Sequence, residues 1–288
     1  MSYAYYPGCS LTGTASEYDL ATRKVMELLG IKLQEIPDWT CCGASAAEAV
    51  HNLLSYALPA RNLALVERDL AEKDVLVPCS ACYLNLLKVQ METQNNGSLL
   101  EDINHILSEE GLKYGQKSKV RHILEILITD IGVQKIKDRV TNPLQGMTFA
   151  PYYGCQILRP YARFDDPERP SSMKPIIEAL GANVLDWEMG AKCCGASLMT
   201  TKKEVALSDV RSILKAGSAA DAILTVCPMC EMNLESFQKQ ALRTSNKEEF
   251  VAVLYLPQIM ALALGVPREE LLLGQNMMAT PFLDRYSQ

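Results

Sequence analysis

Ten cysteines divide into two nearly superimposable sets of five: Cys9, Cys41, Cys42, Cys79 and Cys82, then Cys155, Cys193, Cys194, Cys227 and Cys230. Each set reads C-x(31 or 37)-C-C-G-x(35 or 31)-C-x-x-C, and no cysteine is left over. Aligning the cysteines brings other residues into register. Tyr5-Tyr6-Pro7-Gly8-Cys9 matches Tyr152-Tyr153-Gly154-Cys155, and Cys41-Cys42-Gly43-Ala44-Ser45 matches Cys193-Cys194-Gly195-Ala196-Ser197. The segments around Cys79-Ser80-Ala81-Cys82 and Cys227-Pro228-Met229-Cys230 agree equally well. An internal duplication is the simplest account, so the chain must fold as two like halves, each bringing five distant thiols together.

Within each half, short apolar strands alternate with helical periodicity. In the first, strands are predicted at Tyr3–Tyr6, Ile31–Ile36 and Asp74–Val77. Helices are predicted at Ser16–Leu29, over Ala44–Lys73 with a break at Pro59, and from near Cys82 through Lys88. The second half repeats the order: strands at Thr148–Tyr153, Asn183–Trp187 and Ala222–Val226, with helices at Ser171–Leu180, Leu198–Ala216 and after Cys230. Between them, 94–98 reads as a loop, Leu99–Glu110 as a helix, Val120–Ile126 as a strand and Asp130–Val140 as a helix. This pattern predicts an α/β fold, internally duplicated, as two Rossmann-like halves with mainly parallel sheets. The boundary falls near Thr141-Asn142-Pro143, dividing residues 1–141 from 142–288. Every cysteine motif then lies where a strand hands over to a helix, the edge at which ligand sites form in open α/β sheets. Cys42 and Cys82 lie near predicted helix starts, where free N–H groups favour an anionic group.

The 288 residues suffice for one large or two ordinary cores. A net charge of -6 and a pI near 5.3 supply no basic field for a polyphosphate, which argues against nucleic acid. No basic segment followed by an apolar one opens the sequence, and the run Val251–Val266 is interrupted by Pro257 and Gln258, too short to span a bilayer. A reducing cytoplasm is therefore expected, where clustered cysteines bind metal or do redox chemistry.

A structural zinc site takes four ligands, whereas each set offers five, including an adjacent pair that does not readily give both sulfurs to one tetrahedral ion. Vicinal disulfides are strained, and a thioredoxin-like CxxC would leave three cysteines per set without a role. Iron-sulfur chemistry fits better, because several irons share the thiolates and spread their charge.

The duplicated pattern built on Cys41-Cys42-Gly43 and Cys193-Cys194-Gly195 resembles the CCG-domain proteins, and over nearly the whole chain it resembles the B subunit of heterodisulfide reductase. The segment YLPQIMALALG, Tyr255–Gly265, resembles the end of that family. The resemblance implies a noncubane [4Fe-4S] cluster on each five-cysteine set, the two facing one another across a crevice where a disulfide of two thiol coenzymes, coenzyme M and coenzyme B, is split or formed. It implies as partners the ferredoxin-like C subunit and the flavin-containing A subunit of the same complex. The chain itself has no G-x-G-x-x-G fingerprint and no C-x-x-C-x-x-C run. Alternative roles are a non-catalytic electron-transfer component, as in CCG-containing succinate, fumarate, lactate or glycolate oxidoreductases, and the B subunit of a sulfur-oxidising heterodisulfide-reductase-like complex. One departure stands out: 36 residues separate Cys42 from Cys79, but only 32 separate Cys194 from Cys227. Either a helix is one turn shorter without moving the ligands, or the second site holds a different or incomplete cluster.

Among other residues, Arg159 and Lys192 flank the second motif and are candidates for attracting an anionic substrate tail or balancing cluster charge. Gly43 and Gly195 are candidates for backbone donation to sulfur. His51, His105 and His122 share no motif position between the halves, which leaves proton delivery without an obvious owner. Trp39 and Trp187 precede the paired cysteines at different distances, as packing residues would.

Overall fold

A computed structural model describes residues 1–44, 46–243, 250–279, 282, 283 and 286. Among these residues, eight strands form two four-stranded sheets: β1 (Ser2–Tyr5), β2 (Lys32–Glu35), β3 (Val75–Val77) and β4 (Val120–His122), then β5 (Thr148–Tyr152), β6 (Asn183–Val184), β7 (Ala222–Thr225) and β8 (Val253–Tyr255). Their orders, β2-β1-β3-β4 and β6-β5-β7-β8, are the same topology used twice, and every neighbouring pair is parallel. The α/β fold is thus internally duplicated, two parallel-sheet halves of like order. Sequence and burial agree strand by strand. The inner strands β3 and β7 are wholly buried and read as continuous apolar runs, as parallel strands covered on both faces do. The edge strand β2 reads Lys-Leu-Gln-Glu and is partly exposed, with charge at both ends to discourage further pairing.

The halves share one core. Helix Ser16–Leu28 of the first packs on helix Leu256–Ala263 of the second, and one apolar cluster runs from Tyr3 and Tyr5 through Phe149 to Leu256 and Phe282. Helix Ser16–Leu28 carries Asp19 in its first turn, which suits the positive helix end, and closes at Gly30, whose φ of 75° only glycine adopts freely.

Several elements depart from the sequence reading. The helical stretch after the first CCG is broken at 51–53 and not at Pro59: it forms Ala46–Val50 and then Leu54–Asp69, with Pro59 inside the second. His51 Nδ1 accepts the Leu53 N–H, so the chain restarts its ladder there, while Pro59 removes only one early bond of a sixteen-residue helix. The expected loop at 94–98 shrinks to Asn96, which caps helix Gly97–Ser108 by accepting from Leu99 N. The strand expected to reach Ile126 ends at His122, whose Nδ1 takes the Leu124 N–H and starts helix Ile123–Ile126. The helix expected at Asp130–Val140 begins only at Val133, because Gly132 at φ 82° breaks it from the π-turn Leu127–Ile131.

The four-residue shortening also has a location. The long helices that follow the paired cysteines are nearly equal, Leu54–Asp69 with 16 residues and Lys203–Gly217 with 15. What differs is the connector, a five-residue helix Ala46–Val50 in the first half and a three-residue 3-10 turn, Ala196–Leu198, in the second.

Candidate metal centres

Each sheet delivers its cysteines to its carboxyl edge. Cys9 follows β1, Cys41 and Cys42 follow β2, and Cys79 follows β3; Cys155, Cys193, Cys194 and Cys227 follow β5, β6 and β7 in the same way. Cys79 is the N-cap of helix Ser80–Asn95, and Cys227 the N-cap of helix Pro228–Ser236, so each CxxC occupies a first helical turn. The unpaired N–H groups of that turn face the sulfurs and favour negative charge.

All ten cysteines are free thiols. In the first set Cys42, Cys79 and Cys82 are buried and Cys9 and Cys41 exposed; in the second Cys194, Cys227 and Cys230 are buried, Cys155 half-buried and Cys193 exposed. Each site therefore has a buried floor of three sulfurs and an outward edge of two.

Hydrogen bonds tie the thiols together. Cys42 Sγ and Cys82 Sγ lie 3.5 Å apart, and the contacts run Cys41–Cys42–Cys82–Cys79, with Cys9 near enough to act on Cys41 electrostatically. In the second site the thiols shift one another's pKa in the order Cys155–Cys193–Cys194–Cys230–Cys227. The charge settles differently. Hydrogen bonds from Cys41, Cys82 and Asn85 hold Cys42 down at about 3, while Cys41 and Cys82, as donors to it, are pushed up. In the second site donation from Cys155 and Cys194 lowers Cys193, helped by the Gly195 N–H and the Arg159 charge, and Cys230 brings Cys227 to about 7.

Gly43 N–H donates to Cys41 Sγ at 3.4 Å and Gly195 N–H to Cys193 Sγ at 3.4 Å. Their φ angles of 82° and 77° make that turn. The close approach to sulfur occurs elsewhere, at Gly8 and Gly154: a Cβ there would stand 2.8 Å from Cys82 Sγ and 3.1 Å from Cys230 Sγ.

Two further pairs escape a reading of the sequence. Tyr6 donates its hydroxyl to the Thr40 carbonyl and Tyr152 to the Lys192 carbonyl, each at 2.7 Å, holding the residue before the paired cysteines. Asn85 and Asn233 donate to the carbonyls of Cys42 and Cys194 at 3.4 and 2.7 Å, and Asn85 also reaches Cys42 Sγ at 3.5 Å. A signal for them exists in the repeat: each tyrosine stands three residues before its first cysteine, and each asparagine three residues after its last. Trp39 and Trp187 meet Tyr6 and Tyr152 edge-on, which accounts for both despite their different spacing.

Arg159 is engaged on its own loop, donating to Pro167 O, to Glu168 at 3.0 Å and to Ala191 O at 2.7 Å. Lys192 is exposed beside Cys193. His51 and His105 are exposed, while His122 is buried, donates Nε2–H to Pro78 O at 3.1 Å, and is kept neutral by burial, its pKa lowered to about 3.

No three His, Cys, Asp or Glu side chains among the described residues are arranged to hold a single metal ion. The donor set fits an iron-sulfur group: five sulfurs per site, helix N–H groups behind the buried ones, and a glycine beneath the CxxC where a side chain would collide with sulfur.

With the geometry in view, the chain belongs to the CCG cysteine-rich domain family, whose profile matches residues 3–87 and 149–235. Within that family it is like the B subunit of heterodisulfide reductase. It is 30% identical to a protein of Archaeoglobus profundus described as like that B subunit, over 94% of this chain and 93% of the relative. It is 29% identical to the B subunit of the ferredoxin:CoB-CoM heterodisulfide reductase of Methanosarcina mazei, over 93% and 91%. It is also 36% identical to the 8-methylmenaquinol:fumarate reductase membrane anchor subunit of Wolinella succinogenes, over 96% of both. No helix among the described residues is long and apolar enough to cross a membrane. The fold is shared with a hypothetical protein of Helicobacter pylori, at a TM-score of 0.74 and 14% identity, covering 95% of this chain and 51% of the other.

Proposed function

We propose that the chain is the iron-sulfur subunit of a heterodisulfide-reductase-type complex, and that disulfide chemistry takes place at its two five-cysteine sites. Each half, residues 1–141 and 142–288, is read as one CCG unit with one noncubane [4Fe-4S] cluster. Cys9, Cys41, Cys42, Cys79 and Cys82 would hold the first, and Cys155, Cys193, Cys194, Cys227 and Cys230 the second. The carrying observation is that each buried trio of thiols ends in an outward pair, so both sites have a floor that holds metal and an edge that a sulfur substrate reaches. When bound, the clusters supply one-electron transfer and sulfur-binding iron. The polypeptide's part is to orient the thiolates: Tyr6, Tyr152, Asn85 and Asn233 fix the backbone on both sides of the paired cysteines, and Gly43 and Gly195 donate to sulfur. Arg159 holds its loop against Ala191 and adds positive charge near Cys193. Lys192 is the remaining candidate for an anionic substrate tail. Ferredoxin-like and flavin-containing subunits are the partners this reading requires.

A second reading is electron transfer without bond cleavage, between a quinol and a dicarboxylate reductase. It is favoured by the 36% identity to the fumarate reductase subunit of Wolinella succinogenes. Iron and sulfide counts with EPR on anaerobically purified protein test the clusters, with two noncubane signatures expected and one refuting equal sites. Adding a thiol heterodisulfide to the reduced protein separates the readings. Reoxidation of the clusters supports the first, and no spectral change leaves the second standing.

A further inference from the structure

The carbonyls of Pro78 and Val226, the residues that precede Cys79 and Cys227, come together across the halves at one tyrosine hydroxyl. Tyr18, fully buried in helix Ser16–Leu28, directs its hydroxyl between them, 2.9 Å from Pro78 O and 3.3 Å from Val226 O. Ser80, inside the first CxxC, reaches across the halves and donates to Val226 O at 3.1 Å. His122 donates to the other side of Pro78 O at 3.1 Å. A buried carbonyl pair is thereby saturated by side chains drawn from one half only.

The reverse arrangement is missing its hydroxyls. Tyr18 stacks on Tyr255, the last residue of β8, with ring centroids 4.1 Å apart and planes 2° apart. In the mirrored place Phe164 stacks on His122, the last residue of β4, at 6.1 Å and 7°. Ser80 follows Cys79, and the residue that follows Cys227 is Pro228. Phenylalanine and proline occupy the counterpart positions and donate nothing.

We propose that Tyr18 and Ser80 form a one-way hydrogen-bond bridge from the first half onto the second CxxC, making Ser80 a positioning residue for the second cluster although it lies within the first motif. This rests on the two-cluster reading. Hydrogen bonds to the carbonyl that leads into Cys227 fix the backbone carrying that ligand and draw electron density from its peptide, which stabilises the added electron and raises the reduction potential. The bridge therefore biases electrons toward the second site, by a factor of roughly two to ten in the equilibrium between the clusters, the range spanned by one hydrogen bond.

The test is an anaerobic redox titration followed by EPR on the wild-type protein, Ser80→Ala, Ser80→Thr and Tyr18→Phe, with Cys230→Ser used to assign the second couple. Ser80→Ala should move the second couple to lower potential and leave the first in place, Ser80→Thr should restore it, and Tyr18→Phe should move both. An unchanged second couple in iron-replete Ser80→Ala, or a shift confined to the first, overturns the proposal. Should Ser80→Ala lose its second cluster, Tyr18→Phe decides, because it keeps the ring stack: an unmoved second couple then overturns the bridge. Absence of clusters from the wild-type protein itself would instead refute the functional reading, and iron content measured beforehand keeps the two failures apart.

Discussion

The two halves use one topology and one order of cysteine motifs, yet their thiols are not held alike. In the first half Asn85 reaches both the carbonyl and the sulfur of Cys42, whose pKa is lowered by hydrogen bonds from Cys41, Cys82 and Asn85. In the second Asn233 makes the shorter bond, 2.7 Å, to the Cys194 carbonyl, and the lowered pKa values fall on Cys193, through Cys155, and on Cys227, through Cys230. Around the second site, Arg159 lends positive charge near Cys193, and Ser80 of the other half donates to the carbonyl that precedes Cys227. Duplication preserves the ligands because strand ends and helix starts place them; the surrounding donors are set by contacts that each half makes with its neighbour, and these are free to diverge.

The largest effects should come from removing a ligand. Cys82→Ser and Cys230→Ser should each cost about half of the bound iron, one cluster of two. Iron and sulfide analysis showing complete loss from either would break the picture of independent sites.

Gly8→Ala and Gly154→Ala compare the crowding beneath the two sites. Both place a Cβ at positive φ, 72° and 70°, and both aim it at sulfur, at 2.8 Å in the first and 3.1 Å in the second. Backbone strain alone costs about 1–2 kcal/mol, so thermal midpoints of both variants should fall, with the greater loss of stability and iron at Gly8.

Asn85→Leu and Asn233→Leu should each cost about 1–2 kcal/mol by leaving a carbonyl short of a partner. Denaturant midpoints should fall further for Asn233, whose bond is shorter and buried. Equal losses would show that the asparagines act alike despite the difference in geometry.

A further effect, away from the cysteines, concerns pH. Glu17 is 3% exposed, Oε2 has no hydrogen-bond partner, and burial first, then nearby Glu231, raises its pKa from 4.5 to about 7. The folded state holds this proton more tightly, so the contribution is full below pH 4.5 and is lost as pH rises through about 7. Thermal melts of metal-free protein should show Glu17→Gln gaining on the wild type across that window; a parallel pair of curves would remove Glu17 from the pH dependence.

Much of the site is legible in the sequence. The ten cysteines, their grouping and the parallel α/β architecture follow from spacing and period, because a strand of two to five residues and a helix of three or four turns leave characteristic apolar patterns. Gly43 and Gly195 are legible too as candidate donors. The break at His51-Asn52, the cap at Asn96 and the end of β4 at His122 are not, since each is made by one side chain taking one N–H, which no periodicity reports. Asn85 and Asn233 lie in plain repeat but carry no chemistry of their own without their carbonyl partners, 43 and 39 residues away.

What the amino-acid sequence by itself determined is therefore local and chemical: which atoms are thiols, how many there are, and that they fall at strand-to-helix turns. Only the tertiary structure decided which sulfurs are buried, which of them lie against hydrogen-bond donors, and that a serine of one motif reaches the backbone of the other. Those outcomes depend on desolvation and on hydrogen bonds across the interface between halves, and such distances exist only once the two sheets are packed together.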